Sequence, residues 1–229
     1  MPLPSVIAID GPAGSGKSTV SYQLAERFGY LFIDTGVFYR TMTLIALRSN
    51  LSFDDHEGLA NLTQNTDIEI RPEPEDDSRQ YSVWVDEHDI TDLIRSGEVE
   101  HHVSKLSAIA EVRRELLRKQ RKIATKGNII MAGRDIGTVV LPNADVKLFI
   151  DASLAERARR RFRQKQDEGI QVDLHAIEAS LQQRDHVDTE REVSPLKQAD
   201  DAIYISTDHK TIEQVVDEIA HRLEVWEPA

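Results

Sequence analysis

Residues 11–18 read Gly-Pro-Ala-Gly-Ser-Gly-Lys-Ser, which fits the phosphate-loop pattern of glycine, four variable residues and Gly-Lys-Ser/Thr at every fixed position. Gly11, Gly14 and Gly16 free the main chain to wrap a polyphosphate, aiming N–H donors inward at the start of a helix whose dipole favours anions. Lys17 is placed to reach the β- and γ-phosphates, and the Ser18 hydroxyl to ligate Mg²⁺. The chemistry is the binding of a nucleoside triphosphate. What becomes of its γ-phosphate has to be read from other residues.

Three further groups have the right chemistry for that. Asp34-Thr35-Gly36-Val37-Phe38-Tyr39-Arg40 follows a short apolar run, so Asp34 ends a strand where ligands bind in open α/β folds. Arg40, about a turn into the next helix, can point back at a second phosphate; alternatively, Asp34 simply caps that helix. Gly133-Arg134-Asp135 places a charged pair at another strand end, for a ligand or for an ion pair that holds the loop. Arg184, Asp188 and Arg191 stand at i, i+4 and i+7. On a helix they share a face, as a binding surface or as a solvated salt-bridge ladder.

These groups need a frame. The runs Val6–Ile9, Leu31–Ile33, Ile129–Ala132, Val146–Ile150 and Ala202–Ile205 read as strands and alternate with amphipathic segments. That alternation predicts an α/β fold with a five-stranded parallel sheet and helices on both faces. Gly29 is expected to close the first helix, and Gly127 a long one starting near Val103. Ser153 with Glu156 reads as a capping box for an arginine-rich helix ended by Gly169, and Thr211 with Gln214 as another. Val146–Asp151 imitates a Walker B strand, but Asp151 is better read as a cap ahead of Ser153. The adjacent His101 and His102 lack the spacing of a helical metal pair and read as surface residues. Asp67–Ile70 and Tyr81–Asp86 alternate with period two around a polar stretch, which predicts an inserted antiparallel hairpin. Pro72 and Pro74 put a mobile turn at its tip. The hairpin is either a surface embellishment or an element that closes over an acceptor.

The 229 residues carry a net charge of −12 and no cysteine, with 40% hydrophobic and 30% charged residues. Disulfides and thiolate metal sites are excluded. The acidic balance argues against a nucleic-acid binder. Arginines nevertheless crowd two segments, Arg113–Lys122 and Arg157–Arg163, a distribution that suits a small phosphorylated ligand. No apolar stretch approaches the length of a membrane span, and Met1-Pro2-Leu3-Pro4-Ser5 lacks the regions of a secretory signal. A cytoplasmic enzyme with no membrane partner is expected.

In order along the chain, Gly11–Ser18, Asp34-Thr35-Gly36 with Tyr39-Arg40, Gly133-Arg134-Asp135, Asp151-Ala152-Ser153 with Glu156-Arg157-Ala158, and the Arg184–Arg191 spacing closely resemble the bacterial cytidylate kinases. The resemblance runs from residue 6 to about residue 207. It implies a phosphate-loop kinase domain over 1–229, with core 1–64 and 104–229, an acceptor-binding insert at about 65–103 and a helical lid at about 153–170. It implies transfer of the γ-phosphoryl of ATP, with Mg²⁺, to CMP or dCMP by a monomer. ATP would be held by Gly11, Pro12, Ala13, Gly14, Ser15, Gly16, Lys17, Ser18 and Thr19, with Arg157, Arg160 and Arg161 from the lid. Asp34 and Gly133 would line the acceptor site, with Thr35, Arg40 and Arg134 on its phosphate. Ser104, Arg113 and Asp135 would read cytosine, Arg184 and Asp188 the sugar hydroxyls, and Arg191 would reach between acceptor and phosphates. Lys17, Arg134, Arg157, Arg161 and Arg191 would carry the catalytic charge. Position 35 is Thr, where Ser is also usual; both supply a hydroxyl.

Cytosine presents an amino donor at N4, for which a carboxylate is the natural acceptor; uracil presents a carbonyl that Asp135 would repel. The rivals are another small-acceptor kinase acting on UMP, AMP or shikimate, or a nucleotide-dependent switch or ATPase. A guanine switch would carry an Asn-Lys-x-Asp sequence, which does not occur here.

Overall fold

A computed structural model describes residues 3–71 and 80–227, so the turn expected at Pro72 and Pro74 lies outside the described residues. The chain divides into two compact units, Met1–Phe32 with Lys126–Ala229, and Ile33–Thr125.

The main sheet has five strands: β1 (Val6–Asp10), β2 (Leu31–Asp34), β6 (Ile129–Gly133), β7 (Val146–Asp151) and β8 (Ile203–Ser206), in the order β2-β6-β1-β7-β8. Val6-Ile7-Ala8-Ile9 and Ile129-Ile130-Met131-Ala132 are continuous apolar runs, as parallel strands buried on both faces require. In register, Asp10 stands opposite Gly133 on β6 and Phe149 on β7. The phosphate loop after β1 and the Arg134-Asp135 segment after β6 therefore leave the sheet side by side at its carboxyl edge.

In this first unit α1 (Lys17–Phe28) packs on β1 and β6, and α8 (Ile212–Glu224) packs on α1. Val215, Val216, Ile219, Ala220 and Leu223 form the buried stripe of α8. α6 (Leu154–Asp167) and α7 (Leu174–Glu190) pair with each other. Gly29 closes α1 in the left-handed conformation, as expected. Gly169 is also left-handed, just beyond α6. The Ser153 hydroxyl accepts from the Glu156 N–H, but the box is incomplete. The Glu156 carboxylate turns to Arg159 and Arg160, while Asp208 takes the Ser153 N–H instead. Asp151 accepts from the Ala152 N–H and leaves the cap of α6 to Ser153. At α8 the Thr211–Gln214 capping box is complete.

The second unit contains α2 (Gly36–Arg48), α3 (His56–Asn65), a small sheet, α4 (Gly97–Ser107) and α5 (Ala110–Ala124), with α2 against α4 and α3 against α5. Two expectations change here. The predicted hairpin, β3 (Glu69–Arg71) with β4 (Ser82–Val85), gains a third antiparallel strand, β5 (His88–Asp89). Asp86 and Glu87 join β4 to β5 with φ of 48° and 62°, the conformation that two-residue hairpins prefer. Without the usual glycine, their sequence does not announce it. The single long helix is two helices, broken at Ala108-Ile109, where Ile109 is extended (φ −75°, ψ 117°). α5 ends at Ala124, with Gly127 left-handed in the turn that follows.

Replacing Thr211 with Ala removes the side-chain acceptor for the first turn of α8. A loss of about 1 kcal/mol is expected, seen as a fall of roughly 2–4 °C in thermal unfolding.

Candidate active site

The phosphate loop is built by its glycines. Gly14 and Gly16 have φ of 78° and 85°, in the left-handed region that side chains disfavour. Gly11 is required for a different reason. A Cβ there would lie 2.0 Å from the Ile150 carbonyl oxygen on β7, so a residue expected only to free the loop is demanded by the sheet as well. Gly16 caps α1 and supplies no side-chain acceptor, so no cap side chain competes with an anion at the start of the helix. The Ser15 hydroxyl is buried without a hydrogen-bond partner among the described residues. Lys17, itself buried, folds back so that its Nζ donates to the Pro12 carbonyl at 3.0 Å. A loop with left-handed glycines, a buried unpartnered Ser15 hydroxyl and an inward lysine fits a polyphosphate. Among the described residues no three His, Cys, Asp or Glu side chains gather as a metal cage. The Ser18 hydroxyl offers an oxygen donor of the kind that magnesium takes.

The arginines of α6 fasten this loop from behind. Arg157 donates to the carbonyls of Ala152 (2.9 Å) and Ala13 (3.1 Å) and pairs with Asp185 on α7 at 2.7 Å. Arg160 reaches the carbonyl of Thr207 at 2.6 Å and that of Ser15 at 3.4 Å, and its Nη1 donates to the Thr207 hydroxyl at 2.9 Å. That hydroxyl in turn donates to Ser15. Below them Ala13, Ala158 and Leu181 form a small apolar cluster with Leu154, Leu174 and Ile177. Arg161 is bonded to Gln164 on its own helix. Asp185 and Thr207 carry no motif of their own; only the fold reveals their part in holding the loop.

At the end of β6 the charges alternate. Arg134 Nε donates to Asp188 at 2.7 Å. Arg191 lies 3.7 Å from Asp135 and 3.9 Å from Asp188, and the Arg191, Asp135 and Asp188 side chains are only 5–6% exposed. The pairing across to α7 and its cap, Arg134 with Asp188 and Asp135 with Arg191, replaces the simple Arg134–Asp135 pair that the sequence also allowed. Burial pushes the Asp188 carboxyl upward, but Arg134, Arg184 and Arg191 outweigh it and hold it below the usual carboxylate range. Arg191 is not on the helical face: α7 stops at Glu190, and Arg191 is its extended cap. Gly133, Arg134, Asp135, Arg184, Asp188 and Arg191 thus gather in the first unit.

Asp34, Thr35, Arg40, Ser104 and Arg113 belong to the second unit. Asp34 Oδ1 accepts from the Gly36 N–H at 2.9 Å, so the capping alternative holds for that oxygen. Thr35 is buried at the head of α2. Arg40 donates to the Ile94 carbonyl at 3.3 Å and pairs with Glu100. The buried Tyr81 phenol, whose pKa burial raises, bonds Arg95 and senses Asp34 and Arg40. On one continuous helix Ser104 and Arg113 would face opposite ways, since nine residues turn through about 900°. The break at Ala108-Ile109 changes this: Arg113 Nη1 donates to the Ser107 carbonyl at 3.0 Å and the Ser107 hydroxyl to the Ser104 carbonyl at 3.0 Å. Arg113 is buried with its guanidinium 5.2 Å from the Tyr39 ring centre. His102 stacks on Phe53.

The cytidylate kinase family profile matches residues 7–225. A cytidylate kinase of Carboxydothermus hydrogenoformans is 47% identical over 210 residues, 92% of this chain and 93% of that protein. One from Ligilactobacillus salivarius is 45% identical over 219 residues, covering 95% and 96%. In fold, a crystal structure of an uncharacterized protein from Eubacterium ventriosum superposes with a TM-score of 0.53 at 14% identity, over 97% of this chain and 99% of that one. No helix among the described residues is long and apolar enough to cross a membrane.

Replacing Asp188 with Asn leaves Arg134 facing an uncharged amide in a buried setting, and a loss of about 3 kcal/mol at pH 7 is expected. Because its folded pKa is depressed, the ionised Asp188 contributes stability above the ordinary carboxylate range, and that contribution is lost as pH falls through the folded value. The gap between wild type and variant in denaturant unfolding should therefore narrow from pH 7 to pH 3.

Proposed function

The chain belongs to the cytidylate kinase family, and from that membership we propose that it transfers the γ-phosphoryl group of ATP to CMP or dCMP, giving ADP and CDP or dCDP. The single observation that carries the residue-level reading is the buried Arg134–Asp188, Arg191–Asp135 network at the sheet edge shared with the phosphate loop.

The triphosphate takes the amide donors of residues 11–18, with Lys17 turned to its β- and γ-phosphates. Ser18 would hold a magnesium ion carried on the triphosphate, which supplies charge neutralisation at the β- and γ-oxygens. A phosphate oxygen of the acceptor attacks the γ-phosphorus, the bond to the β–γ bridging oxygen breaks, and ADP leaves. The transition state is loose, with charge on the equatorial oxygens, so positioning and fixed positive charge do most of the work. Arg134 and Arg191 suit this role because guanidinium stays charged and grips phosphate bidentately. Their carboxylate partners hold both guanidiniums in place, so little reorganisation is needed as the reaction proceeds.

Within the first unit, Gly133 lines the acceptor site, Asp135 accepts from cytosine N4, and Arg184 and Asp188 take the sugar hydroxyls. In the second unit, family membership assigns Arg40 to the acceptor phosphate and Arg113 to the base, with Asp34, Thr35 and Ser104 as further acceptor-binding residues. The segment at about 65–103 is read as the acceptor-binding insert. Helix α6 and the turn after it, about 153–170, are read as a lid that excludes water. Arg157 and Arg160 support the donor loop through their carbonyl contacts, and Arg161 contributes charge. The net charge of −12 favours free nucleotides over nucleic acid as partners, and the enzyme is read as cytoplasmic.

With ATP and Mg²⁺, an acceptor panel should show rapid turnover of CMP and dCMP and slow turnover of UMP, AMP and shikimate; preference for any of the latter three defeats the assignment. Lys17→Ala should lower kcat by at least about a hundredfold, the scale of losing one electrostatic stabiliser. Asp135→Asn should cut the CMP/UMP ratio of kcat/KM at least tenfold, since an amide can turn its donor to O4; an unchanged ratio means that other residues read the base.

A further inference from the structure

Asp10 stands at the end of β1, directly before Gly11, opposite Gly133 in the register with β6. It is 3% exposed. Its two carboxylate oxygens accept from successive main-chain N–H groups, Oδ1 from Ile136 at 2.7 Å and Oδ2 from Gly137 at 2.8 Å. Those amides begin the π-type turn Ile136–Val140, immediately after Arg134 and Asp135. One side chain therefore joins the first residue of the donor loop to the segment that carries a phosphate-binding arginine and the base-reading carboxylate. We propose that Asp10 is a positioning residue for phosphoryl transfer, fixing Arg134 and Asp135 relative to the phosphate loop. The inference rests on the roles given to Arg134 and Asp135 above.

The chemistry of the contact demands an ionised acid. Only a carboxylate presents two acceptor oxygens; an asparagine would set its NH₂ against one of the two N–H groups. The fold does not gain from this choice. Burial pushes the Asp10 carboxyl up to about 6, against the two amide bonds that lower it, and Asp135 raises it further while Lys17 lowers it. Lys147 also packs at this turn, its side-chain carbons 3.1–3.3 Å from where a Gly137 Cβ would stand, with its Nζ paired to Asp201. A raised folded pKa means that the native state binds the proton more tightly than the unfolded chain. Stability from this group accordingly falls as pH rises from the ordinary carboxylate range through about 6. The ionised carboxylate costs the fold stability at neutral pH, and the two-point grip on the turn is what it supplies in return.

The test pairs Asp10→Asn with a titration of the wild-type enzyme. In ¹⁵N-labelled, unliganded wild type, the Ile136 and Gly137 amide resonances should shift together with a midpoint near 6. The wild-type kcat should fall on the acid side with the same midpoint. In Asp10→Asn, kcat with CMP should drop by about ten- to a hundredfold, the scale of a lost charged hydrogen bond. ATP affinity measured without CMP should stay within about threefold, and the acid limb near 6 should vanish. A variant that melts earlier but keeps kcat, the KM for CMP and the acid limb would show a structural role alone and overturn the proposal. So would Ile136 and Gly137 amide resonances that are the same in Asp10→Asn as in wild type. Should the variant not fold, coincidence or divergence of the wild-type amide and kcat midpoints decides the matter. A wild-type enzyme inactive on CMP would instead sink the functional reading, not this contact.

Discussion

Buried charge at the carboxyl edge of the main sheet is the constraint around which the first unit is organised. Asp10, Asp135, Asp188, Lys17 and Arg157 are all nearly inaccessible, and an unpaired charge in such a place costs several kcal/mol. Each is given fixed partners. Asp188 has three guanidiniums near it and is held ionised; Asp10 has two main-chain amides and is held only weakly so. The same carboxyl group is thus driven in opposite directions by its surroundings. In the proposed reaction, this arrangement supplies fixed positive charge without waiting for ligands to organise it.

That constraint explains the double duty of the arginines. A guanidinium offers five donors, more than one ligand uses. Arg157 spends its donors on two carbonyls and a carboxylate of the protein, and Arg160 ties Ser15 and Thr207 together. Both bind the carbonyl side of the phosphate loop, which turns its N–H side the other way. The loop geometry that accepts phosphate is therefore maintained by α6 and α7 as well as by its own glycines.

The order of the elements was legible because each carries a local signal. Four fixed residues of the phosphate loop, a continuous apolar run before it and an amphipathic run after it specify strand, loop and helix. The Thr211–Gln214 box and Gly29 set two helix ends through chemistry that spans only a few residues. Where local signals were weak, the pattern misled. Apolar periodicity carries across Ala108-Ile109 without a glycine or proline, so the sequence predicts one helix where an extended Ile109 makes two. Asp86-Glu87 lacks the glycine that usually marks a two-residue turn, so nothing local announces β5. Ser153 and Glu156 have the right spacing for a capping box, yet Asp208, far along the chain, takes the N–H that Glu156 was expected to accept.

By itself the sequence determined an anion-binding loop and an ordered set of motifs, and the cytosine nucleotide entered only as what the resemblance to the cytidylate kinases implies. The loop and the motifs are properties of spacing within short stretches, where backbone preference and side-chain type act locally. The tertiary structure alone decided who meets whom. Arg134 pairs with Asp188 instead of its neighbour Asp135, Arg157 finds Asp185 across two helices, and Asp10 grips a turn 126 residues away. Such contacts depend on sheet order and on the burial that makes a charge seek a counter-charge, and neither can be read from residues adjacent in the chain.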